Sequence, residues 1–254
     1  MISVVPIESA ADYPAAIARA LEEVDAGGAL AGFDRVIVKP NVVNLSPPPV
    51  TTDVRCVMAV VDYLRERIGS EILVAEGSGE GDTLENLRRH GYERVGVPLV
   101  DLDALPDRTY SNDAAGVYSE IRLPEILEGA GLVSVPPAKD HSITGVTQGL
   151  KNMVGCLPAR HYGGYWTYKK SQIHAVDEHQ ALADLMLYIR PHLTVIDALD
   201  GLEGGHLSGR VPDPPLRRII AGTDVLAADR EAAKLLGHDP EEIRYLKLAE
   251  RFQS

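Results

Sequence analysis

The segment Val135–Gly155, VPPAKDHSITGVTQGLKNMVG, follows an apolar run and is rich in polar residues. The local structure of this segment decides how those polar residues are arranged. Pro136 and Pro137 block a helix at its start, so the chain must leave the preceding run in an extended conformation. After His141 the apolar residues recur at helical spacing, which predicts a helix that begins near Thr144. The polar face of this predicted helix is typical of a ligand-facing surface, with an ordinary surface helix as the alternative; it holds Thr144, Thr147, Gln148, Lys151 and Asn152.

Outward from this segment, apolar runs typical of strands alternate with amphipathic helical patterns along the chain. This order predicts an α/β fold with a mostly parallel sheet, or a mixed one, flanked by helices. The segment 106–120 is polar and irregular, which indicates a loop or a short hairpin. We expect a single domain over residues 1–254, or two closely packed halves, about 1–155 and 174–254, joined by an aromatic loop. The predicted strands are Ile2–Val5, Arg35–Val38, Glu71–Ala75, Val97–Leu102, Gly131–Val135, Leu193–Ile196 and Arg218–Ala221.

The composition limits the kinds of partner. A net charge of −12 repels polyanions, so we expect no nucleic acid and no anionic membrane as partner, whereas a small anion held by local cations remains compatible. The sequence shows no signal peptide and no apolar run of the roughly 18–20 residues that span a bilayer, which predicts a cytoplasmic protein. Cys56 and Cys156 are the only cysteines, which rules out an all-cysteine iron–sulfur cluster within this chain.

Five predicted strands end in a polar or glycine-containing motif. In a parallel sheet these ends meet at one edge, where open α/β sheets bind their ligands. The motifs begin at Lys39, Glu76, Lys139, Asp197 and Thr223. We therefore expect Lys39, Glu76, Lys139, Lys151 and Asp197 to line one crevice, with the N-terminus of the helix from Thr144 pointing into it.

The residue types in this set suggest roles. Lys39, Lys139 and Lys151 supply positive charge in an acidic protein, which suits a phosphate or a carboxylate. His141 is expected to act as a general acid or base, because imidazole titrates near neutral pH; the alternative is a loop histidine that caps the next helix. The predicted catalytic residues are His141, Lys151 and Lys39, and the predicted substrate-binding residues are Asn41, Lys139, Thr144, Thr147, Asn152 and Glu76.

Four carboxylates have other expected roles. Asp197 and Glu203 flank a glycine-rich turn and offer oxygen ligands suited to Mg²⁺ or another divalent cation. Asp229 projects from the apolar side of a predicted helix, so it must find a partner, a metal or a proton. Pairing with a lysine or with backbone N–H groups is the expected solution. Asp224 is expected to cap the same helix.

With these motifs assembled, the chain resembles the bacterial and archaeal family called domain of unknown function 362. The matching motifs are Val36–Asn41, Thr51–Thr52, Glu76–Gly77, Val135–His141, Thr144–Thr147, Leu150–Asn152, Asp197, Glu203–Gly204 and Gly222–Asp229. The resemblance implies one domain with a real site at these positions, but it supplies no activity. Family members are often joined to a ferredoxin-like iron–sulfur segment, which implies a redox partner. This chain has no such segment, and Gly205-His206 stands where relatives tend to have Gly-Pro.

Two hypotheses about function follow. The first is an enzyme that acts on a small anionic metabolite in the crevice at the carboxyl ends of the strands. The alternative is a non-catalytic ligand-binding or accessory module associated with an iron–sulfur redox protein. A redox partner or a second copy of the chain is the expected macromolecular partner. The aromatic segment Tyr162–Lys170 is expected to be a mobile lid or a partner surface, with an ordinary packed cluster as the alternative.

Overall fold

A mixed nine-stranded sheet lies at the centre of the protein, in a computed structural model that describes residues 1–253. The strands are β1 (Ile2–Pro6), β2 (Arg35–Pro40), β3 (Glu71–Glu76), β4 (Leu99–Asp101), β5 (Asp107–Ser111), β6 (Glu120–Pro124), β7 (Gly131–Val135), β8 (Pro137–His141), β9 (Gly145–Thr147), β10 (Leu193–Leu202) and β11 (Arg218–Gly222). The helices are α1 (Tyr13–Glu23), α2 (Ala26–Leu30), α3 (Val54–Arg65), α4 (Thr83–Arg89), α5 (Ala159–Tyr162), α6 (Glu178–Leu185), α7 (Val225–Leu235) and α8 (Arg244–Glu250).

The strand order is β1-β11-β10-β7-β2-β3-β4, with β8 beside β10 and β9 beside β8. The pairs from β10 through β7, β2 and β3 to β4 are parallel. At the other side, β11 is antiparallel to both β1 and β10. The predicted α/β fold with a mostly parallel, mixed sheet is therefore confirmed. The predicted strand at the N-terminus forms the edge of the sheet, and the predicted hairpin at 106–120 is the separate β5–β6 ribbon.

Both faces of the sheet are covered by helices. Along β2, Val36 and Val38 belong to the apolar layer under α1 and α3, whereas Ile37 belongs to the opposite layer under α6 and α8. Because the central strands are buried on both sides, their sequences are nearly continuous apolar runs, and this made them recognisable. The sheet is continuous between the two halves of the chain, since β10 lies beside β7.

The predicted helix from Thr144 is wrong. Gly145 has φ of +80° and turns the chain back after β8, so that Gly145–Thr147 pairs antiparallel with His141–Lys139 as β9. A short 3₁₀ helix, Lys151–Cys156, follows. The positive φ favours glycine, and the β-branched residues beside it suit a strand. The five polar residues assigned to an open helix face are all buried, and no α-helix N-terminus lies at this point.

The predicted position of Thr223 and Asp224 is also wrong. Because β11 runs antiparallel to β10, it carries these residues to the opposite edge of the sheet. Asp224 caps α7 there, as predicted, by accepting hydrogen bonds from the N–H groups of Leu226 and Ala227. β10 is also longer than predicted, so Asp197 lies within this strand and not after it. Within residues 1–253, none of the helices has the length and apolar character required to cross a membrane.

Candidate functional site

A cavity of about 300 Å³ opens beside the residues that follow β2 and β3, at the β8–β9 hairpin. Seven of the predicted site residues line it: Asn41, Glu76, Lys139, His141, Thr147, Lys151 and Asn152. They come from segments more than 100 residues apart, and the parallel order of β3, β2 and β7 brings them together. Lys39, Thr144, Asp197 and Glu203 do not line the cavity.

Lys39 lies beneath the cavity in a buried ion pair. Its Nζ atom is 2.6 Å from Oε1 of Glu76 and also donates to Asn152 Oδ1 and the Pro40 carbonyl oxygen, both at 3.2 Å. These three acceptors use all three N–H groups of the ammonium. Glu76 accepts further hydrogen bonds from the N–H groups of Val42 and Gly77. The pair thus joins β2, β3 and the 3₁₀ helix, and Lys39 has no donor left for a ligand.

Lys139 is the buried lysine without an acidic partner. Its side chain is 1% exposed, and its Nζ atom donates to Asn41 Oδ1 and to the Val50 carbonyl oxygen, each at 2.7 Å. Both acceptors are uncharged. Burial lowers the pKa of Lys139 from 10.5 to about 7; the charge of Glu76 opposes this change, and the charges of Lys151 and Lys39 add to it. Lys139 therefore titrates near neutral pH.

Lys151 lines the cavity and is in direct contact with the first of two linked side chains, Glu178 and His174. Its ammonium pairs with Oε1 of Glu178, whose Oε2 atom is 2.7 Å from Nδ1 of His174. Burial alone would raise the pKa of Glu178, but the hydrogen bond from His174 and the charge of Lys151 outweigh it and lower the pKa to about 2. Burial also lowers the pKa of Lys151. Within residues 1–253 Glu178 is the acceptor that Lys151 contacts, so two of its N–H groups remain for a ligand.

His141 is fixed by the backbone that follows it. Its Nδ1 atom accepts from the N–H groups of Ile143 and Thr144, at 3.2 and 3.3 Å, so the neutral ring carries its proton on Nε2. The ring stacks on His206 with centroids 4.3 Å apart. Burial, together with the charge of Lys151, lowers the pKa of His141 to about 2. Burial likewise lowers the pKa of His206 to about 4. Both rings are uncharged at neutral pH, and His141 presents a donor.

The two predicted threonines differ in their surroundings. Thr144 Oγ1 donates to the Val146 carbonyl oxygen at 3.0 Å and thereby stabilises the β8–β9 turn. Thr147 is 6% exposed and lines the cavity, but its Oγ1 atom has no hydrogen-bond partner among the described residues. A buried hydroxyl without a partner is costly, so this one is suited to a ligand.

Sequence reasoning missed part of the cavity. Lys170, the last residue of the aromatic segment, lines it and pairs with Asp103 while also donating to the Leu157 carbonyl oxygen. His174, His206, Trp166 and Tyr168 also line it. The clustering of aromatic and basic residues in 160–170 was the available signal for Trp166, Tyr168 and Lys170. Tyr162 differs from its neighbours, because it is buried in α5 and packs edge-on against Tyr118.

The two predicted metal ligands lie in different surroundings, away from the cavity. Asp197 accepts a hydrogen bond of 2.8 Å from the Tyr13 hydroxyl, and burial raises its pKa to about 6. Glu203 forms a partly exposed ion pair with Arg210 at 2.6 Å. Residues 1–253 contain no group of three or more His, Cys, Asp and Glu side chains placed to hold a metal ion. The structure does not bring Asp197 and Glu203 into such a group.

Asp229 has the structural role that its position predicted. Its two carboxylate oxygens accept the backbone N–H groups of Gly149 and Leu150, at 2.7 and 3.0 Å. Burial raises its pKa to about 7, although these hydrogen bonds act in the opposite direction. The carboxylate holds the segment that leads into Lys151, and so it positions one wall of the cavity.

The fold and the cavity define an α/β protein with a lysine-rich pocket at the carboxyl ends of parallel strands. Residues 36–234 match the family described as domain of unknown function (DUF362), and the chain belongs to that family. A thylakoid-associated protein of Synechocystis sp. is 25% identical to the chain over 225 residues, which cover 86% of this chain and 68% of the relative. The family match over residues 36–234 confirms the family that the motifs indicated.

Proposed function

We propose that this protein binds a small anionic metabolite through its phosphate or carboxylate group in the cavity, and that it catalyses a reaction of that metabolite. The observation that carries the proposal is the buried ammonium of Lys139, which lines the cavity and has only neutral acceptors. Burial of an unpaired charge is strongly unfavourable, so such a group either loses its proton or acquires an anionic partner.

The charges around the cavity support this interpretation. Four buried lysines lie in the cavity wall or directly beneath it, and three of them have a carboxylate within the protein: Lys39 has Glu76, Lys151 has Glu178 and Lys170 has Asp103. The fourth, Lys139, makes no ion pair with any carboxylate of residues 1–253. One negative charge on a ligand would balance the set. The net charge of −12 does not oppose such binding, because contacts at short range outweigh a screened, distant field.

The free donors of the cavity suggest how the anion is held. Lys139 has one N–H group left, Lys151 has two, His141 offers Nε2–H, and Thr147 offers its hydroxyl. Asn41 and Asn152 already use their amide groups on Lys139, on the Lys39 backbone and on each other. We therefore assign Asn41, Asn152, Lys39 and Glu76 to positioning. Lys139, Lys151, His141 and Thr147 bind the anion.

Lys139 is also the group best suited to move a proton. An effective acid or base has a pKa near the working pH, and burial brings the pKa of Lys139 to about 7. His141, with a lowered pKa and its proton on Nε2, suits hydrogen-bond donation better. A non-catalytic binding module would need the same cations but no proton transfer. Turnover that is lost in Lys139→Arg, while this variant still binds the anion, would support the enzyme, because arginine keeps the positive charge but does not release its proton near neutral pH.

The test measures affinity for simple anions. We expect sulfate, inorganic phosphate and malonate to raise the melting temperature, because a ligand of the native state stabilises it. In calorimetric titrations Lys139→Met should bind sulfate roughly tenfold to a hundredfold more weakly, which is the usual effect of losing a charge-assisted hydrogen bond. Lys151→Met should show a loss of similar size. Lys234→Met removes an exposed lysine and serves as the control.

The pH dependence of sulfate affinity is a second test. Sulfate keeps its charge between about pH 6 and pH 9, so a change in its affinity reports on the protein. The anion binds the protonated form of Lys139, which dominates below its pKa of about 7. Affinity should therefore fall as the pH rises through 7, and Lys139→Met should lose this dependence. Equal affinities in wild type, Lys139→Met and Lys151→Met would overturn the proposal.

A further inference from the structure

We infer that the ligand of this cavity is an aromatic anion, whose charged group binds Lys139 and Lys151 while its planar ring stacks on Trp166 and Tyr168 at the cavity mouth. The inference rests on the proposed function and adds the class of substrate. It follows from the division of the cavity into a polar base and an apolar mouth.

The mouth is formed by hydrophobic side chains that the fold leaves exposed. Ile143, Trp166 and Tyr168 are 48%, 47% and 38% exposed, and all three line the cavity. Ile173 and Leu207 extend the apolar wall inward. Large exposed hydrophobic side chains that gather around one opening are typical of a binding site, whereas isolated ones are ordinary. The polar base lies below them, so a ligand that fills both zones has one charged end and one apolar end.

The arrangement of Trp166 favours a planar group. One side of its indole stacks on His174, with centroids 4.6 Å apart and an angle of 26° between the rings. His174 is held in turn by Glu178, the partner of Lys151. Tyr168 meets the indole edge-on at 6.4 Å. The Tyr165 ring lies 5.2 Å from the indole at an angle of 37°, and Trp166 nevertheless stays 47% exposed and lines the cavity. Aromatic side chains attract planar rings through stacked and edge-on geometries.

The segment that carries Trp166 is held in place without a ligand. The Ser171 hydroxyl accepts the backbone N–H groups of Tyr165 and Trp166, at 3.1 and 2.9 Å, and the Lys169 N–H group bonds to the Gly79 carbonyl oxygen at 2.9 Å. A side chain that is already positioned loses less entropy on binding. A cavity of about 300 Å³ has room for one ring together with a phosphate or carboxylate.

The experiment compares two anions that share a charged group and differ in the ring, phenylphosphonate and methylphosphonate, at one pH. Wild type should bind phenylphosphonate about tenfold more tightly, from stacking and ring burial. Trp166 is the sole tryptophan of the chain, so its fluorescence should change with phenylphosphonate and much less with methylphosphonate. Trp166→Leu should lose the preference for the ring in calorimetric titrations while keeping its affinity for methylphosphonate.

Tyr165→Phe is the matched control. Tyr165 is 49% exposed and does not line the cavity, and its ring lies 5.2 Å from the Trp166 indole, a contact that phenylalanine keeps, so this variant should keep the full preference. Equal affinity of wild type for both phosphonates, or an undiminished preference in Trp166→Leu, would overturn the inference. If both phosphonates bind equally and both depend on Lys139, the inference fails and the proposed function stands. If neither binds at millimolar concentration, the proposed function fails as well.

Discussion

Lys39 and Glu76 form an ion pair beneath the cavity, with Nζ and Oε1 2.6 Å apart and side-chain exposures of 1% and 2%. They lie near the carboxyl ends of the adjacent strands β2 and β3, whose opposite ends carry a second pair, Arg35 and Glu71, at 2.8 Å. The second pair is 43% and 54% exposed. The same two strands thus hold one buried and one solvated ion pair.

Replacing Glu76 by Gln should lower the free energy of unfolding by roughly 3–5 kcal/mol, because it leaves the charge of Lys39 buried and unpaired. Glu71→Gln, at the other end of the same strand pair, should cost less than about 1 kcal/mol, since exposed pairs contribute little. Urea denaturation of both variants checks the difference. Similar small losses in the two variants would contradict the structural role assigned to the buried pair.

Gly155 lets the 3₁₀ helix approach this ion pair closely. A β-carbon at Gly155 would lie 2.5 Å from Glu76 Oε1 and 2.5 Å from Lys39 Nζ. We expect Gly155→Ala to lower stability by about 1–3 kcal/mol through overpacking, and to weaken sulfate binding because Lys151 and Asn152 lie on the same helix. Gly32→Ala, whose β-carbon would meet no atom within 4 Å, is the control. Thermal and urea unfolding of both variants would show whether only the first is affected.

Most of the fold was predictable because the central strands are buried on both faces. Runs such as Arg35–Val38 and Gly131–Val135 gave a clear strand signal. The direction of β11 was not predictable, since strand periodicity contains no information on orientation. The prediction of a helix after Thr144 was wrong because it used only the spacing of apolar residues. That spacing contains no information on the positive φ of Gly145 or on the pairing of β9 with β8.

The site was predictable where residues lie at or just beyond the carboxyl ends of the parallel strands β2, β3 and β7, as Asn41, Glu76 and Lys139 do. It was not predictable where partners come from connecting segments. Glu178 and Asp103 pair with Lys151 and Lys170 from elements that are distant in the sequence, and no local sequence pattern indicates these contacts. The sequence therefore suggested equivalent lysines at the site, whereas the structure distinguishes Lys139 as the one without a carboxylate.

That distinction predicts an unusual pH dependence of stability. The pKa of Lys139 is lowered from 10.5 to about 7, so between these values the unfolded chain holds a proton that the folded chain has released. Stability rises with pH wherever the unfolded state binds more protons. The unfolding free energy of wild type minus that of Lys139→Met should thus increase from about pH 7 upward, by at most about 1.4 kcal/mol per pH unit. Urea denaturation at several pH values measures it, and a flat or falling difference would contradict the buried, unpaired state of Lys139.

The segment 164–168 should become protected when an aromatic anion binds. Its Tyr165 and Trp166 N–H groups share a single side-chain acceptor, the Ser171 hydroxyl, and its aromatic side chains are exposed. The segment is ordered in its closed state, but amides held by so few hydrogen bonds still exchange through brief local opening. Hydrogen exchange followed by mass spectrometry should show measurable exchange in the free protein that slows with phenylphosphonate and changes little with methylphosphonate.

Ser171→Ala tests the anchor of this same segment. Loss of the shared acceptor should speed amide exchange of the segment in the free protein. It should also weaken phenylphosphonate binding, because the segment then loses more conformational entropy when the ligand binds. Methylphosphonate, which contacts only the base of the cavity, should bind Ser171→Ala as it binds wild type. Slow exchange of 164–168 in the free monomeric protein, unchanged by either phosphonate, would show that these aromatic residues form an ordinary packed cluster and not a lid over the ligand.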